Sequence, residues 1–402
     1  MEYRALGEFC TITSSKRIFA EQYVTEGIPF YRSKEIIEKN NNNDITESLY
    51  ITEEVYENIQ KKFGVPQEGH MLLTSVGTLG IPYIVKDEKF YFKDGNLTWM
   101  KDFSDELSPY YLYYWISSRF GKESLISRAI GSSQAAITID ILKKYKLLVP
   151  DRTVQDSISS VLQEYDRLIQ NNTKRIKLLE QMAENLYKEW FARFRFPGHE
   201  GVEFENGLPM GWTYTTIEEL SEVLQRGISP QYDDDGEYIV ISQKCIRTSI
   251  VDFGESRHQT KKYKSELNLQ DADTVICSTG TGTLGRVGKV IGDYPNATFD
   301  SHVTLVRAKA GISKQYLYSA IKNMQVWLEN MGVGSTNQQE LNRKTIKNAK
   351  IVLPDENTMK RFEEISKCIH DEIGSLIASR DNLTKQRDLL LPRLMSGKLE
   401  AK

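Results

Sequence analysis

The stretch Gly77-Thr78-Leu79-Gly80 occurs a second time as Gly282-Thr283-Leu284-Gly285, about 205 residues further along the chain. Two other motifs recur at nearly the same offset: Gly131-Ser132-Ser133-Gln134 as the looser Gly334-Ser335-Thr336-Asn337-Gln338, and Leu148-Val149-Pro150-Asp151 as Val352-Leu353-Pro354-Asp355. Because three motifs recur in one order at one offset, the chain is predicted to be two copies of a unit of about 200 residues.

Each copy is predicted to begin with a mixed α/β segment of about 150 residues and to end in a long helix. Short runs of β-branched and aromatic residues between Gly, Pro and Asn indicate strands, for example Tyr83-Ile84-Val85, Tyr238-Ile239-Val240-Ile241 and Thr274-Val275-Ile276. Residues 110–120 and 315–331 have helical patterns.

The long helices are predicted to begin at the two Pro-Asp pairs, with Asp151 and Asp355 as N-caps. Apolar residues then follow at spacings of three and four. Pro392 is expected to end the second helix. About 40 residues at ~1.5 Å each form a rod of ~60 Å. Each apolar stripe needs a partner, which predicts an antiparallel coiled coil.

Asn171 and Asn172 interrupt the apolar stripe of the first helix, where they either fix the register of the pair or form a solvated spot. The end of the second helix is expected to return near the start of the chain.

Composition limits the possible classes of protein. The chain has 402 residues, of which 40% are hydrophobic and 27% are charged, enough for two or three domains with real cores. It has no run of about 18 apolar residues and no secretory signal pattern, so a cytoplasmic protein is expected. With 52 basic and 55 acidic residues, the net charge of −3 argues against binding nucleic acid by bulk charge, but not against a local basic groove.

Motifs for catalysis, metals and nucleotides are weak. The four cysteines form no CxxC pair, which predicts free thiols and no structural zinc site. Gly280-Thr281-Gly282-Thr283-Leu284-Gly285 matches a dinucleotide fingerprint, but residues 286–292 predict a strand where that site needs a helix. By the offset, Ser75 stands in the first copy where Gly280 stands in the second. No phosphate-binding loop, methyltransferase motif or catalytic triad is evident, so a non-catalytic chain is predicted.

Two further stretches carry a family resemblance: Leu186-Tyr187-Lys188-Glu189-Trp190-Phe191-Ala192-Arg193-Phe194-Arg195-Phe196-Pro197-Gly198 and Leu389-Leu390-Leu391-Pro392-Arg393-Leu394-Met395-Ser396-Gly397-Lys398-Leu399. They resemble the central and distal conserved regions of the specificity subunit of type I restriction–modification enzymes. The Gly-Thr-Leu-Gly turns also fit. Gln155 matches a glutamine usual in that family, with Asn357 or Thr358 as its counterpart in the second copy.

The resemblance implies an α+β fold, in which two mixed α/β target recognition domains are separated by two long antiparallel helices with a pseudo-twofold internal repeat. The implied division is a first recognition domain at 1–150, a central conserved helix at 151–200, a second recognition domain at 201–355 and a distal conserved helix at 356–402. Each recognition domain would recognise one half of a bipartite, asymmetric double-stranded DNA target, and the helices would set the spacing.

The resemblance also implies partners. Two modification subunits would dock on this chain and methylate adenine with S-adenosylmethionine, and restriction subunits would add ATP- and Mg-dependent translocation and cleavage. None of these cofactors is expected in this chain, and no membrane is expected as a partner.

Residues that suit DNA contact lie in matching places in the two copies, because Arg, Lys, Asn and Gln bond base edges while Ser, Thr and backbone amides hold phosphates. The predicted DNA-binding residues are Arg32, Lys34, Thr74, Ser75, Thr78, Ser132, Ser133 and Gln134 in the first copy, and Gln243, Lys244, Arg257, Lys261, Lys262, Thr279, Thr281, Thr283, Ser335, Asn337 and Gln338 in the second. The alternatives are solvated strand ends, plain β-turns and a solvated basic loop. Trp190, Phe191 and Phe194 are predicted either to dock a modification subunit or to pack against the adjacent recognition domain.

Three functions follow from these patterns. The first is a DNA-recognising, non-catalytic specificity subunit. The second is a coiled-coil scaffold that binds only proteins. The third, a nucleotide-dependent enzyme that uses the glycine-rich turn, is weakened by the missing helix.

Overall fold

A computed structural model describes residues 3–41, 45, 47–131, 134–334 and 339–399. The chain forms two compact units, one made of Met1–Asn171 with Arg380–Lys402 and the other of Asn172–Ser379. Each unit holds one α/β domain and a part of each long helix, because both boundaries along the chain fall inside a long helix. The division of the chain at 150, 200 and 355 stays a prediction.

The α/β domain of the first unit combines short strands with short helices. The strands are β1 (Tyr3–Ala5), β2 (Thr11–Thr13), β3 (Tyr23–Val24), β4 (Ile28–Tyr31), β5 (Leu49–Ile51), β6 (Met71–Thr74), β7 (Pro82–Ile84), β8 (Tyr91–Phe92), β9 (Leu97–Lys101) and β10 (Lys146–Leu148). The helices are α1 (Ser33–Asn40), α2 (Glu53–Phe63), α3 (Pro109–Ser117), α4 (Arg119–Ile126) and α5 (Ile139–Lys144), and the long helix α6 (Arg152–Tyr187) follows.

The strands of the first domain form an antiparallel sheet in the order β2-β9-β6-β7, a sheet in the order β3-β5-β4-β8 whose β4 and β8 are parallel, and the pair β1-β10. Leu6, Met71 and Trp115 lie in the buried core, and Leu394 and Met395 from the end of the second long helix belong to the same cluster. The predicted return of that helix to the start of the chain is therefore confirmed.

The second unit repeats this plan. Its strands are β11 (Phe204–Glu205), β12 (Leu208–Pro209), β13 (Thr213–Thr216), β14 (Ser221–Arg226), β15 (Tyr238–Ile241), β16 (Arg257–Gln259), β17 (Thr274–Cys277), β18 (Val287–Lys289), β19 (Ala297–Phe299), β20 (Val303–Ala308) and β21 (Lys350–Leu353). Its helices are α7 (Ile217–Leu220), α8 (Lys314–Asn323), α9 (Gln325–Asn330), α10 (Arg343–Asn348) and the long α11 (Glu356–Met395), of which the part from Arg380 onward belongs to the first unit.

The strands of the second domain form an antiparallel sheet in the order β14-β20-β17-β18, a sheet in the order β16-β15-β19 whose β15 and β19 are parallel, and the pairs β13-β21 and β11-β12. The correspondence with the first domain is strand by strand for the main sheet. The helices predicted at 110–120 and 315–331 are present, each divided into two by a break, at Ser118 and at Met324.

The long helices pair within the first unit through polar contacts. Arg387 Nη1 lies 2.7 Å from Asp166 Oδ1, and the Tyr165 hydroxyl donates to Gln386 Oε1 at 3.4 Å. Earlier on α6, Ile158 and Leu162 share the domain core with residues near the end of α11. Rising numbers on α6 thus meet falling numbers on α11, so the pair is antiparallel as predicted.

In the second unit the pair has an apolar seam of Ile176, Ile369, Ile373 and Leu376. Asn172 is buried, and its Nδ2 donates to Ser379 Oγ at 3.1 Å, whereas Asn171 is exposed. Since a buried amide with one partner across the seam favours a single alignment, Asn172 fits the register interpretation and Asn171 the solvated one.

The ends of the long helices agree with the sequence at Asp355 but not at Pro392. Asp355 is an N-cap, because its Oδ1 accepts the main-chain N–H of Thr358 at 3.0 Å. The expectation that Pro392 ends α11 is wrong, since the helix continues to Met395. A proline this close to the end removes one main-chain donor from the last turn, and Ser396 N–H still bonds the Pro392 carbonyl at 3.1 Å.

Candidate nucleic-acid interface

A pair of buried hydroxyls marks the same place in both domains. Ser75 Oγ lies 2.6 Å from Thr98 Oγ1 in the first domain, and Ser278 Oγ lies 2.6 Å from Thr304 Oγ1 in the second. The pair joins the end of one central strand to its neighbour, β6 to β9 and β17 to β20. We call these residues and their main-chain hydrogen bonds the hydroxyl frame.

The hydroxyl frame corrects the alignment made from the repeated turn. Ser75 corresponds to Ser278, not to Gly280, because both serines have the same partners. Their carbonyls accept from Ile137 N–H at 2.9 Å and from Leu341 N–H at 2.8 Å. The glycine loop of the second domain is therefore two residues longer before its Gly-Thr-Leu-Gly, and matching letters alone could not show where they were inserted.

Both glycine turns end in the same way. The N–H of Gly80 donates to the Thr74 carbonyl and that of Gly285 to the Cys277 carbonyl, each at 2.8 Å. Both glycines have positive φ, 74° and 78°. The strand β18 follows the second turn, so the predicted strand is confirmed. A dinucleotide site requires a helix that begins at such a turn, and the described residues 286–292 contain none.

Three segments that hold predicted DNA-contact residues converge in the second domain. They are the turn after β15 (242–244), the glycine loop (279–285) and a third segment, which runs from Val333 to Glu340. Thr283 Oγ1 donates to Gln243 Oε1 at 3.4 Å, which joins the glycine loop to the turn after β15. Thr279 forms an isolated β-bridge with Glu340, and Glu340 forms another with Val333, which brings in the third segment. Its inner residues Ser335, Asn337 and Gln338 lie outside the described residues.

The three equivalent segments converge in the first domain. They are the turn after β4, the glycine loop after β6 and the third segment, which ends at Ala136. Ser33 Oγ donates to the Asn96 carbonyl at 3.4 Å, and the Ser75 N–H donates to that same carbonyl at 2.8 Å. Val76 bridges Ala136, which closes the third segment. Gln134 in this segment is exposed, while Ser132 and Ser133 lie outside the described residues.

The predicted residues on the glycine loops differ in exposure. Thr78 and Thr281 are exposed. Thr74 is fully buried, and its Oγ1 accepts the Ile81 N–H at 2.9 Å. Thr74 and Ser75 thus build the turn from inside, whereas the exposed threonines present hydroxyls to solvent.

The triplets Arg32-Ser33-Lys34 and Ser242-Gln243-Lys244 occupy equivalent places, as predicted. Each directly follows a strand, β4 or β15, and that strand pairs in parallel with β8 or β19. Lys34 and Lys244 are both exposed.

Arg32 is engaged within the domain. Its Nε lies 3.1 Å from Oε1 of the buried Glu35. Burial raises the pKa of Glu35, but hydrogen bonds from Arg32 outweigh that effect and leave the pKa below its usual value. Arg32 therefore fixes the start of α1 besides any contact that it makes with DNA.

The basic residues of the second domain lie on and after the edge strand β16. The Arg257 guanidinium stacks 3.7 Å from the ring centre of Tyr232. Lys261 Nζ donates to the Ser229 carbonyl at 2.9 Å, and Lys262 is exposed. Stacking and this hydrogen bond hold two of the three cations in fixed places, next to the strand that leads to Gln243.

The aromatic residues after α6 are packed inside the second unit. Trp190 and Phe191 are 5% and 3% exposed, in a cluster with Trp212, Tyr316 and Phe362. Phe194 is half-buried with a φ of 58° and stacks edge-on against Trp212. The arrangement corresponds to packing against the adjacent recognition domain, and a docking role for these three residues stays a prediction.

Sequence reasoning missed Asn96 and His302. Each stands just before a central strand, β9 or β20, and its carbonyl accepts the N–H of the frame serine, Ser75 or Ser278, at 2.8 Å. His302 Nδ1 lies 2.6 Å from Thr279 Oγ1. Single polar residues without a motif gave no signal, although both follow a turn and precede a β-branched or apolar strand.

Within the described ranges, no group of His, Cys, Asp and Glu side chains has the arrangement of a metal site. In the same ranges, no helix has both the length and the apolar character needed to cross a membrane. The thiols of Cys10, Cys245 and Cys277 are free and buried, and burial raises the pKa of each.

Two α/β domains, each with its own hydroxyl frame and gathered polar loops and each packed on a part of two paired helices, define a protein built as a tandem repeat of one domain. The family model of the type I restriction modification DNA specificity domain matches residues 1–181 and 209–385. The chain therefore belongs to this family of type I restriction–modification specificity proteins.

Relatives match most of the chain. It is 25% identical over 350 residues to the type I restriction enzyme MjaIX specificity subunit of Methanocaldococcus jannaschii, which covers 83% of this chain and 78% of that protein. It is 22% identical over 367 residues to the HindI specificity subunit of Haemophilus influenzae, covering 72% and 77%. A crystal structure of a type I S subunit from M. genitalium has the same fold, with a TM-score of 0.61 at 16% identity over 98% of this chain and 95% of that one.

Proposed function

We propose that this chain is the sequence-specific DNA-binding subunit of a type I restriction–modification complex. Each α/β domain recognises one half of a bipartite, asymmetric double-stranded DNA target, and the long helices set the spacing between the halves. One observation carries this proposal: three polar segments, far apart in sequence, meet beside the hydroxyl frame in each domain. Loops positioned on a rigid scaffold are the usual carriers of such recognition.

The two domains recognise different half-sites, because the side chains around their common frame differ. The first domain presents Lys34, Thr78 and Gln134, and the second presents Lys244 and Thr281 with the cations near β16. Phosphate contacts position a protein on DNA, and base contacts make it specific. With a net charge of −3, this chain supplies base recognition while its partners supply much of the phosphate binding.

The partners are two modification subunits, which match the twofold repeat of this chain, and restriction subunits. S-adenosylmethionine, ATP and Mg belong to those partners, and this chain performs no chemistry itself. The free buried thiols agree with a reducing, cytoplasmic location.

The long helices dock the modification subunits. On α6, Leu178 and Met182 are 63% and 53% exposed and lie one turn apart. Exposed apolar side chains on a helix pair favour a protein partner. The double substitution Leu178→Asp with Met182→Asp is expected to abolish co-purification with the modification subunit; unchanged co-purification would remove this surface from the proposal.

A domain exchange tests the function directly. Residues 201–355 are replaced with the equivalent domain of another family member, the chain is co-expressed with its modification subunits, and adenine methylation is mapped across a genome. One half of the methylated sequence is expected to change while the other half and the spacer stay. A change in both halves, or no sequence-specific methylation by the unaltered complex, would refute the proposal and favour a scaffold that binds only proteins.

A heptad deletion tests the spacing role. Removing seven residues from each long helix, at positions that face each other, keeps the apolar stripes aligned. The methylated sequence is expected to keep both halves and to change in the number of bases between them. An unchanged gap would contradict the role of the helices in spacing.

A further inference from the structure

We propose that four paired surface positions around the hydroxyl frame, and above all Asn96 and His302, determine which bases the two domains recognise. The inference rests on the proposed function and names residues for it. Because the chain contains the same frame twice, each position can be compared with its counterpart in the same molecule.

Asn96 and His302 are equivalent by their hydrogen bonds. The carbonyl of each accepts the N–H of the frame serine at 2.8 Å, from Ser75 in the first domain and Ser278 in the second. Two residues later the frame threonines, Thr98 and Thr304, complete both pairs. The backbone at this place is therefore the same in both domains, and only the side chain differs.

Strand register, the frame serines and isolated bridges give three more pairs, one each. Thr13 pairs with Trp99 and Gln225 with Leu305, so the next residues, Ser14 and Arg226, are equivalent. Val76 and Thr279 correspond because each follows the frame serine. Ala136 corresponds to Glu340, since each forms isolated bridges to the residue after that serine and to the residue that closes the third segment.

The frame and the positions around it differ in a way that separates structure from recognition. The hydroxyl pairs are buried and chemically identical in the two domains. The four surrounding pairs are exposed or half-buried, and none keeps its residue type. At these positions the first domain has the small or neutral residues Ser14, Val76, Asn96 and Ala136, and the Ser14 hydroxyl itself is buried. The second domain has Arg226, Thr279, His302 and Glu340, of which Arg226 and Glu340 form an ion pair.

The two central side chains have free hydrogen-bonding groups. In the described part of the chain, the Asn96 amide has no hydrogen-bond partner and is exposed. An amide of this kind bonds adenine through N6 and N7 in the major groove. His302 uses Nδ1 toward Thr279, which orients the ring and leaves Nε2 facing no partner among the described residues. A fixed ring nitrogen offers a single donor or acceptor to a base edge.

The neighbours of Asn96 and His302 support their role in base recognition. His302 lies beside the glycine loop through Thr279, and Asn96 lies beside the triplet after β4 through Ser33. Both therefore stand where the three predicted DNA-contact segments meet. Position 96 contacts the triplet through its carbonyl, and position 302 contacts the glycine loop through its ring.

The test uses the complete chain assembled with its modification subunits and a randomised double-stranded DNA library. Methylated molecules are sequenced for the unaltered chain and for His302→Asn, Asn96→His and the control Asn58→His. Asn58 is exposed on α2, outside the three segments. Asn58→His replaces the same residue type with the same residue as Asn96→His does. Thermal unfolding of each variant shows whether the fold is retained.

His302→Asn is expected to change base preference by about tenfold at one position of one half-site, toward adenine, and to leave the other half unchanged. Asn96→His is expected to remove an adenine preference in the other half, while Asn58→His changes neither. A uniform loss of methylation with unchanged preferences, or no change, in folded variants would overturn the inference. If the unaltered chain selects no sequence at all, the proposed function itself fails, and the two failures are thereby distinguished.

Discussion

The two α/β domains contain the same hydroxyl frame, but the segments that precede it in sequence have different secondary structure. Between β4 and β6 the first domain has two helices, α1 and α2, with β5 between them. Between β15 and β17 the second has the single strand β16 among short 3₁₀ turns. The sheets with the orders β2-β9-β6-β7 and β14-β20-β17-β18 nevertheless correspond strand for strand. The two domains therefore share their central sheet and its hydrogen bonds, while the segments before the sheet differ.

The difference extends to the polar residues just before the central strands β6 and β17. His70 Nδ1 accepts the Gln67 N–H at 3.1 Å, and Asp273 Oδ2 accepts the Gln270 N–H at 2.8 Å, so both residues close the same turn. Beyond that bond they diverge, because His70 also accepts from the Trp99 indole, whereas Asp273 holds Arg307 in a buried ion pair of 2.6 Å. The residue that closes this turn thus makes neutral hydrogen bonds in the first domain and an ion pair in the second.

The largest loss of unfolding free energy is expected when the charged contact of Asp273 is removed, and a smaller one when the neutral contacts of His70 are removed. Asp273→Asn leaves the Arg307 guanidinium buried without its carboxylate and is expected to cost about 3 to 5 kcal/mol of unfolding free energy. His70→Ala removes only neutral hydrogen bonds and is expected to cost about 1 to 2 kcal/mol. Denaturant unfolding followed by hydrogen exchange in each unit measures both, and equal losses would contradict the comparison.

The second expected effect concerns the last glycine of the repeated turn. A Cβ on Gly285 would lie 2.4 Å from the Glu329 main-chain nitrogen, and the nearest atom to one on Gly80 is Ile126 Cγ1 at 3.7 Å. Both positions have positive φ, so Gly80→Ala is expected to cost about 1 to 2 kcal/mol. Gly285→Ala adds the clash and is expected to cost roughly 2 to 5 kcal/mol. Thermal unfolding of the pair would sink this expectation if Gly80→Ala were the worse variant.

The third expected effect concerns the start of the long helices. Gln155 is fully buried, its Oε1 accepts the Ser108 N–H at 2.8 Å, and its Nε2 donates to two carbonyls. The N–H of Ser313 in the second domain meets Met359 Sδ at 3.5 Å, so Met359 is the counterpart, and not Asn357 or Thr358 as the sequence suggested.

Gln155→Met is therefore expected to cost about 1 to 3 kcal/mol, since it leaves buried polar groups unpaired. Met359→Gln offers the Ser313 N–H a stronger acceptor and is expected to change stability by less than about 1 kcal/mol. Chemical denaturation of both variants is the measurement, and a larger loss in Met359→Gln would show that the two helix starts are not equivalent.

The smallest expected effect is a dependence on pH. Burial lowers the pKa of His70 below its usual value. At pH above about 6.5 the ring is neutral in both folded and unfolded chains. As the pH falls below that value the unfolded chain takes up the proton first, so the folded first unit loses stability until its own lower pKa is reached. Hydrogen exchange at pH 7 and pH 5.5 is expected to show this loss in the native chain and a smaller one in His70→Asn, and equal losses would exclude His70 as the cause.

The repeat, the strands and the two long helices could be predicted because they depend on local patterns and on spacing. The alignment of Ser75 with Gly280 was wrong, since the equivalence is fixed by hydrogen bonds to Ile137 and Leu341, which are far away in sequence. The end at Pro392 was wrong because the helix continues to Met395 although the proline removes one main-chain donor.

The candidate site was predictable in part. The three segments were found because Gly, Ser, Thr and Gln recur in both copies. Asn96 and His302 were not found, because their position depends on a carbonyl hydrogen bond and their side chains differ between the copies. Residues that determine specificity are expected to differ where a repeat is compared with itself, so a search for repeated letters passes over them.

The split of both long helices between the two units has a consequence for synthesis. Arg380–Lys402 belongs to the first unit, and a ribosome translates it after all of Asn172–Ser379. Leu394 and Met395 therefore reach the core around Leu6 only after the second unit has emerged. Until then the core of the first domain lacks these two apolar side chains. A premature stop near residue 380 would damage the domain that was made first rather than the one made last.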